Sequence, residues 1–326
     1  MYAVEDAYRL IKSEMTTMEE LARQSLSDVD PFVGEVVRYS IQFSGKRLRP
    51  VLLFLAGRAT GFSNGKHVQT AAAIEFVHTA SLIHDDILDG ASIRRHCATV
   101  NVRWNAQVGV LAGDLLLTKA LELLALNGEL HGFCRLAEAC RKTCEGELRQ
   151  LGTVDRFEMT PDEYYEMIAG KTAPLLACSA ELGAYYSGAD NETAERFRLF
   201  GHKLGLAFQI VDDVLDLIGE TNTAGKTLRT DLMNRKPTLP LIFYLRAAES
   251  ADRTETLNRI CRNDFDEAAA QEMVYRFCES GAVTLAKQEA ERFINEAVGS
   301  LSGFNGNSQA LAALTSVARF VVNREN

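Results

Sequence analysis

The chain has no long hydrophobic run: its longest apolar stretches, such as VLLFLAG from Val51, fall far short of the roughly 20 residues that a membrane span needs. No membrane span is therefore expected. A basic excess is missing too, with 35 Lys and Arg against 44 Asp and Glu and a formal charge of −9, which argues against nucleic acid as a partner because binding phosphate needs basic patches. Cysteines are few and unpaired in pattern. The seven, Cys97, Cys134, Cys140, Cys144, Cys178, Cys261 and Cys278, form no CxxC, and no His or Cys pair completes a zinc set beside Cys140 and Cys144, so reduced structural thiols are expected. The opening MYAVEDAYRLIKSEM lacks the apolar core of a signal peptide, which makes a cytoplasmic location the expectation. With only six prolines and 47% hydrophobic residues in 326, the chain can bury one large core or two ordinary ones.

Strand-like alternation is not sustained anywhere. Stretches such as HVQTAAAIEFVHTASLIHDDILD, GDLLLTKALELLALNG and KQEAERFINEAVGSL instead repeat apolar residues at three- and four-residue intervals, the mark of helices. Thr160-Pro161-Asp162-Glu163 is a capping box with proline at the first helical position, and Pro174 should kink or end the first half of the helix that follows. Breaks are expected near 126–132, 186–193, 219–238, 248–255 and 302–309. None is a long biased linker, and no short-period repeat occurs, so a single all-α domain over residues 1–326 is expected.

One motif recurs: DDILD at Asp85, Asp86 and Asp89 returns as DDVLD at Asp212, Asp213 and Asp216. On a helix, positions i and i+4 differ by about 40° and i+1 lies about 100° round, so each trio lines one face with carboxylates. Like charges ~4 Å apart cost on the order of 4 kcal/mol each at an effective dielectric of about 20, a cost that cations would offset. A solvated acidic face is the ordinary reading of a charge run. It suits these segments poorly, because LIHDDILDG and FQIVDDVLDLIG are too apolar for surface helices. Carboxylates without His or Cys point to a hard cation, Mg²⁺ above all, held by a few carboxylates, waters and a substrate phosphate.

Bases cluster accordingly. Gly45-Lys46-Arg47-Leu48-Arg49-Pro50 opens a helix, Arg94 and Arg95 follow the first acidic motif, and Gly170-Lys171-Thr172 sits mid-chain. Gly225-Lys226 and Lys236-Pro237-Thr238 follow the second motif. Arginine grips phosphate as a bidentate fork and lysine acts as a point charge. No Ser-His-Asp triad or glycine-rich nucleotide loop accompanies them.

In order, GKRLRP, EFVHTASLIHDDILD, RR, CEGELRQ, GKTAPL, GLAFQIVDDVLDLIG, GKTLRTDL and KPTLPLI make the chain resemble, over nearly its whole length, the trans-isoprenyl diphosphate synthases, or polyprenyl synthetase family. The resemblance implies a bundle of long helices around a central cavity, with the acidic motifs on facing helices, and usually a homodimer. It implies an allylic diphosphate and isopentenyl diphosphate as substrates and about three Mg²⁺ per active site acting as Lewis acids. By residue, it marks Asp85, Asp86, Asp89 and Asp212 as metal ligands, Asp216 as a further one, and Asp213 as a residue behind them. Lys46, Arg49, His78 and Arg95 match the isopentenyl diphosphate site. Arg94, Lys171, Lys226 and Lys236 match the allylic diphosphate site, with Thr172 and Gln209 steadying the carbocation or the phosphate. On an ideal helix His78 lies within about 20° of Asp85 and Gln209 within about 60° of Asp212. Arg324 either reaches isopentenyl diphosphate or frays.

The sequence departs from the family in one loop: His96-Cys97-Ala98 follows the arginines where Gly, any residue and Pro are usual, which alters the turn that aims them. Ser44 also replaces a frequent glycine. The family's chain-length floor falls on Ala80 and Ser81, with Val77 deeper, all small here. From helix geometry, Ser81 lies within about 40° of Asp85 and Ala80 about 140° away. A long-chain product of six or more isoprene units is the expectation. The alternatives are a geranylgeranyl diphosphate synthase with a deeper floor and a non-catalytic partner subunit. A terpene cyclase would not require the isopentenyl diphosphate site that Lys46, Arg49 and Arg95 are expected to form.

Overall fold

The computed structural model describes residues 4–42, 47–62, 64–219, 230–262 and 267–324. Seventeen helices make up nearly all regular structure among them, as the periodicity leads one to expect. Five precede a hairpin: α1 (Val4–Leu10), α2 (Lys12–Gln24), α3 (Pro31–Gln42), α4 (Leu48–Thr60) and α5 (Gly65–Leu88). The hairpin strands β1 (Ile93–Arg94) and β2 (Cys97–Ala98) are antiparallel. Then come α6 (Val100–Arg103), α7 (Ala106–Asn127), α8 (Leu130–Leu151), α9 (Pro161–Lys171), α10 (Ala173–Tyr186) and α11 (Asn191–Ile218). Last are α12 (Thr230–Met233), α13 (Leu239–Ala247), α14 (Ser250–Arg262), α15 (Glu267–Glu279), α16 (Ala282–Ser300) and α17 (Ser308–Asn323).

Local chemistry explains where these helices start and stop. Thr160 Oγ1 accepts from Glu163 N while the Glu163 carboxylate accepts from Thr160 N, the capping box read in the sequence. Asn64, Asn105, Asp190 and Asn307 likewise use side-chain oxygens to cap orphan N–H groups at the starts of α5, α7, α11 and α17. Gly128, at φ 71°, closes α7 in the left-handed region. Pro174 falls in the first turn of α10, and the helix before it stops at Lys171, so the proline divides the segment as expected. The break expected over 248–255 is shorter, since Ser250 already starts α14.

Two compact units contain these elements. In the first (Met1–Cys140, Leu175–Gly201, Ser300–Val317), Val51 to Ala56 are wholly buried and α5 runs along α7. Glycine makes that approach possible: a Cβ on Gly113 would stand 2.1 Å from His84 Nε2. In the second (Arg141–Pro174, His202–Gly299, Ala318–Asn326), the backbones of α8 and α9 touch, and a Cβ on Gly146 would stand 2.5 Å from the Gly170 oxygen. That contact fixes the end of α9, where Lys171 sits.

Candidate active site

In the first unit, α5 carries the first aspartate trio into its last turn. Asp86 is 5% exposed and clamped by Arg94, whose Nε donates to Oδ1 at 2.8 Å and Oδ2 at 3.0 Å. Burial raises the Asp86 pKa and Arg94 opposes the rise. Asp85 is half-buried, and Asp89, one turn on, is exposed at the helix end. The arginines sit on the hairpin. Ile93 pairs with Ala98 and Arg94 with Cys97, leaving Arg95 and His96 as a two-residue turn with φ of 50° and 64°. Left-handed backbone at both positions is what a type I′ turn needs, so the loop turns tightly without the family's glycine and proline. Tyr39 Oη donates to Ala98 O at 2.6 Å and Thr99 Oγ1 to Ala91 O at 2.8 Å, which anchors the loop.

His78 stands near the same bases. Burial holds its pKa well below the usual histidine range, and the charges of Arg49, Arg95 and Arg94 press it lower. It is therefore a neutral imidazole at physiological pH. Arg49, Arg94 and Arg95 thus all come within electrostatic reach of His78, whereas Lys46 lies outside the described residues. Ala80 is wholly buried, Val77 nearly so, and Ser81 Oγ donates to His78 O at 2.8 Å.

The second unit presents the other trio at the end of α11. Thr172 Oγ1 donates to Gln209 Oε1 at 2.6 Å, and Gln209 Nε2 donates to Asp213 Oδ1 at 2.8 Å. Tyr164 Oη donates to Asp213 Oδ2 at 2.7 Å, completing a polar chain whose Tyr164–Asp213 end is buried. Burial and then the charge of Asp231 push the Asp213 carboxyl up to about 7, against the Tyr164 and Gln209 hydrogen bonds. Asp216, 3% exposed, accepts from the Asp231 backbone N–H at 3.1 Å, and Lys236 Nζ stands 3.5 Å from the Asp231 carboxylate. Lys171 Nζ donates to Gln150 Oε1 at 2.9 Å and stands 3.2 Å from Glu147. Asp212 is ion-paired with Arg324. Lys226 lies outside the described residues.

Sequence reasoning passed over Tyr164, Asp231, Glu75 and Arg47. Three of them carried a signal, Glu75 lying three residues before His78, Arg47 inside GKRLRP and Asp231 inside GKTLRTDL. Of the seven cysteines Cys178 is buried and Cys140 half-buried, while the other five are exposed.

Among the described residues no three His, Cys, Asp or Glu side chains converge as a ready-made metal cage. Magnesium does not ask for one, because it takes one or two carboxylates and fills the rest of its octahedron with water and phosphate oxygens. The all-oxygen pairs Asp85 with Asp89 and Asp212 with Asp216, each one turn apart, fit that demand.

Residues 30–277 match the family described as polyprenyl synthetase. The chain belongs to the polyprenyl synthetase family. Among its relatives is the short chain isoprenyl diphosphate synthase of Methanothermobacter thermautotrophicus, 35% identical over 96% of this chain and 97% of that protein. A polyprenyl synthase from Caulobacter crescentus, solved with calcium and isoprenyl diphosphate, superposes with a TM-score of 0.95 at 32% identity, covering 100% of this chain and 99% of that one. A decaprenyl diphosphate synthase from Rhodobacter capsulatus gives 0.92 at 31% identity, with 99% of both chains covered.

Proposed function

We propose that this member of the polyprenyl synthetase family is a prenyltransferase that condenses an allylic diphosphate with successive isopentenyl diphosphate units to a long-chain all-trans polyprenyl diphosphate. The observation that carries the reading is the repeated aspartate motif, on α5 and again on α11, each with basic side chains in its own unit. Asp85, Asp86, Asp89, Asp212 and Asp216 would hold magnesium, with Asp86 first exchanging Arg94 and Asp213 supporting from behind. Bound magnesium, about three ions per active site, supplies the Lewis acidity that helps a diphosphate leave.

The side chains have separate tasks. Arg49 and Arg95, with Lys46, grip the diphosphate of isopentenyl diphosphate, and neutral His78 adds a hydrogen bond without adding charge. Arg94, Lys171, Lys226 and Lys236 hold the allylic diphosphate. The allylic C–O bond breaks, the isopentenyl double bond attacks the resulting cation, and a proton passes to the departing diphosphate. Thr172 and Gln209 turn oxygen toward that cation. No side-chain nucleophile is required.

Product length rests on the small residues Val77, Ala80 and Ser81, and the likeness to a decaprenyl diphosphate synthase supports six or more isoprene units. The short-chain relative favours a second reading, a geranylgeranyl-length product. Chromatography of radiolabelled products from farnesyl and isopentenyl diphosphates separates them, and a dominant C20 product overturns the long-chain reading. Replacing Ala80 or Ser81 with Phe should shorten the product.

The chain is further read as a single catalytic domain, since the family match spans both compact units. Val110, Leu111, Leu121 and Leu126 of α7 are exposed apolar side chains, which supports a homodimer. Among the described residues no helix is long and apolar enough to cross a membrane, and a cytoplasmic enzyme is proposed.

A further inference from the structure

Glu75 lies on α5, three residues before His78, and is 5% exposed. Other buried carboxylates of its unit are well partnered: Asp86 by Arg94, and Glu181 by Arg135 at 2.7 Å. Glu75 is not. Its Oε2 has no hydrogen-bond partner among the described residues, and its Oε1 stands 3.5 Å from Arg47 Nη1. Arg47 opens α4 in a left-handed conformation, φ 47°, and its Nε reaches Glu19 of α2 at 3.1 Å, so it links α2, α4 and α5.

A buried carboxylate so weakly satisfied is costly to keep, and a residue of the same shape without charge would cost less. The bases around it supply a reason for its presence. Burial raises the Glu75 pKa and Glu19 adds to the rise, while the charges of Arg47, Arg49 and Arg95 oppose it; Arg49 and Arg95 act on His78 as well. Arg95 feels the repulsion of Arg94 and Arg47 and the attraction of Glu75, so Glu75 is a buried opposite charge within electrostatic reach of all three bases. We infer that Glu75 is a positioning residue that holds the Arg47, Arg49 and Arg95 cluster assembled for an incoming diphosphate, acting directly on Arg47 and through its charge on the other two. The inference rests on the reading of Arg49, His78 and Arg95 as the isopentenyl diphosphate site.

The test is steady-state kinetics of Glu75→Gln, which keeps the shape and removes the charge, with each substrate varied in turn. The KM for isopentenyl diphosphate should rise tenfold or more, while kcat stays within about threefold and the KM for the allylic diphosphate within about twofold. Glu75→Asp, which keeps the charge but draws it back, should raise the same KM by about threefold. An isopentenyl diphosphate KM that is unchanged or lowered in a folded Glu75→Gln protein overturns the inference, as does an equal shift in both KM values. Should Glu75→Gln not fold, Glu75→Asp decides, and an unchanged KM overturns it. A wild-type enzyme that does not use isopentenyl diphosphate at all sinks the functional reading itself.

Discussion

Tyr164 Oη donates to Asp213 Oδ2 at 2.7 Å between two buried residues 49 positions apart in the chain. Asp213 has one other side-chain donor, Gln209, on its opposite oxygen. Removing the phenol leaves a buried acceptor half-satisfied, which ordinarily costs about 1 to 3 kcal/mol. Tyr164→Phe should therefore lower the unfolding free energy by that amount, read in denaturant titration as a lower midpoint at unchanged slope. Combined with Asp213→Asn it should lose less than the sum of the single losses, because the two share one interaction. Strict additivity would show that the bond contributes nothing.

Arg324 is ion-paired with Asp212. Its guanidinium also lies 4.0 Å over the Phe208 ring, and Nη2 donates to Phe208 O at 3.1 Å. A cation already on the carboxylate competes with magnesium for it. Arg324→Ala should bind Mg²⁺ about three- to tenfold more tightly, of order 1 kcal/mol, in calorimetric titration of the substrate-free protein. Unchanged affinity would mean that the pair yields to metal at no cost.

Much of this was legible beforehand, because it depends on neighbours in the chain. The capping box at Thr160, the break at Gly128 and the aspartates one turn apart follow from helical periodicity, which needs no knowledge of tertiary contacts. Tyr164 follows from no such rule: a tyrosine inside a helix looks the same whether or not a distant helix brings it a partner. The hairpin was hidden for another reason. Its strands are two residues long and its turn uses Arg95 and His96 in place of Asn-Gly, so neither alternation nor turn composition marked it.

His96 holds φ 64°, a conformation that costs a residue with a side chain about 1 to 2 kcal/mol and glycine almost nothing. His96→Gly gives some of that back through the greater freedom of the unfolded chain. The net expectation is a gain of about 0.5 kcal/mol in thermal or denaturant unfolding. If the turn alone aims Arg95, the isopentenyl diphosphate KM should stay within about twofold. Lower stability would show that the imidazole makes a contact worth more than the strain.

His78 ties stability to pH. Its folded-state pKa lies well below 6.5, from burial first and the nearby arginines second, whereas the unfolded chain takes a proton near 6.5. Below that pH the unfolded state binds more protons, so this residue makes stability fall as pH falls. Asp213 acts in the opposite sense: its folded-state pKa is raised, so its contribution weakens as pH rises toward about 7. The wild-type curve therefore mixes the two, and His78→Gln isolates one. Relative to that variant, the metal-free wild type should lose up to about 2 kcal/mol between pH 7 and 5 and nothing above pH 7, since one differentially bound proton contributes about 1.4 kcal/mol per pH unit. Parallel curves for the two proteins would mean that folded His78 takes up a proton as readily as the unfolded chain, which the burial and the surrounding guanidinium charge forbid.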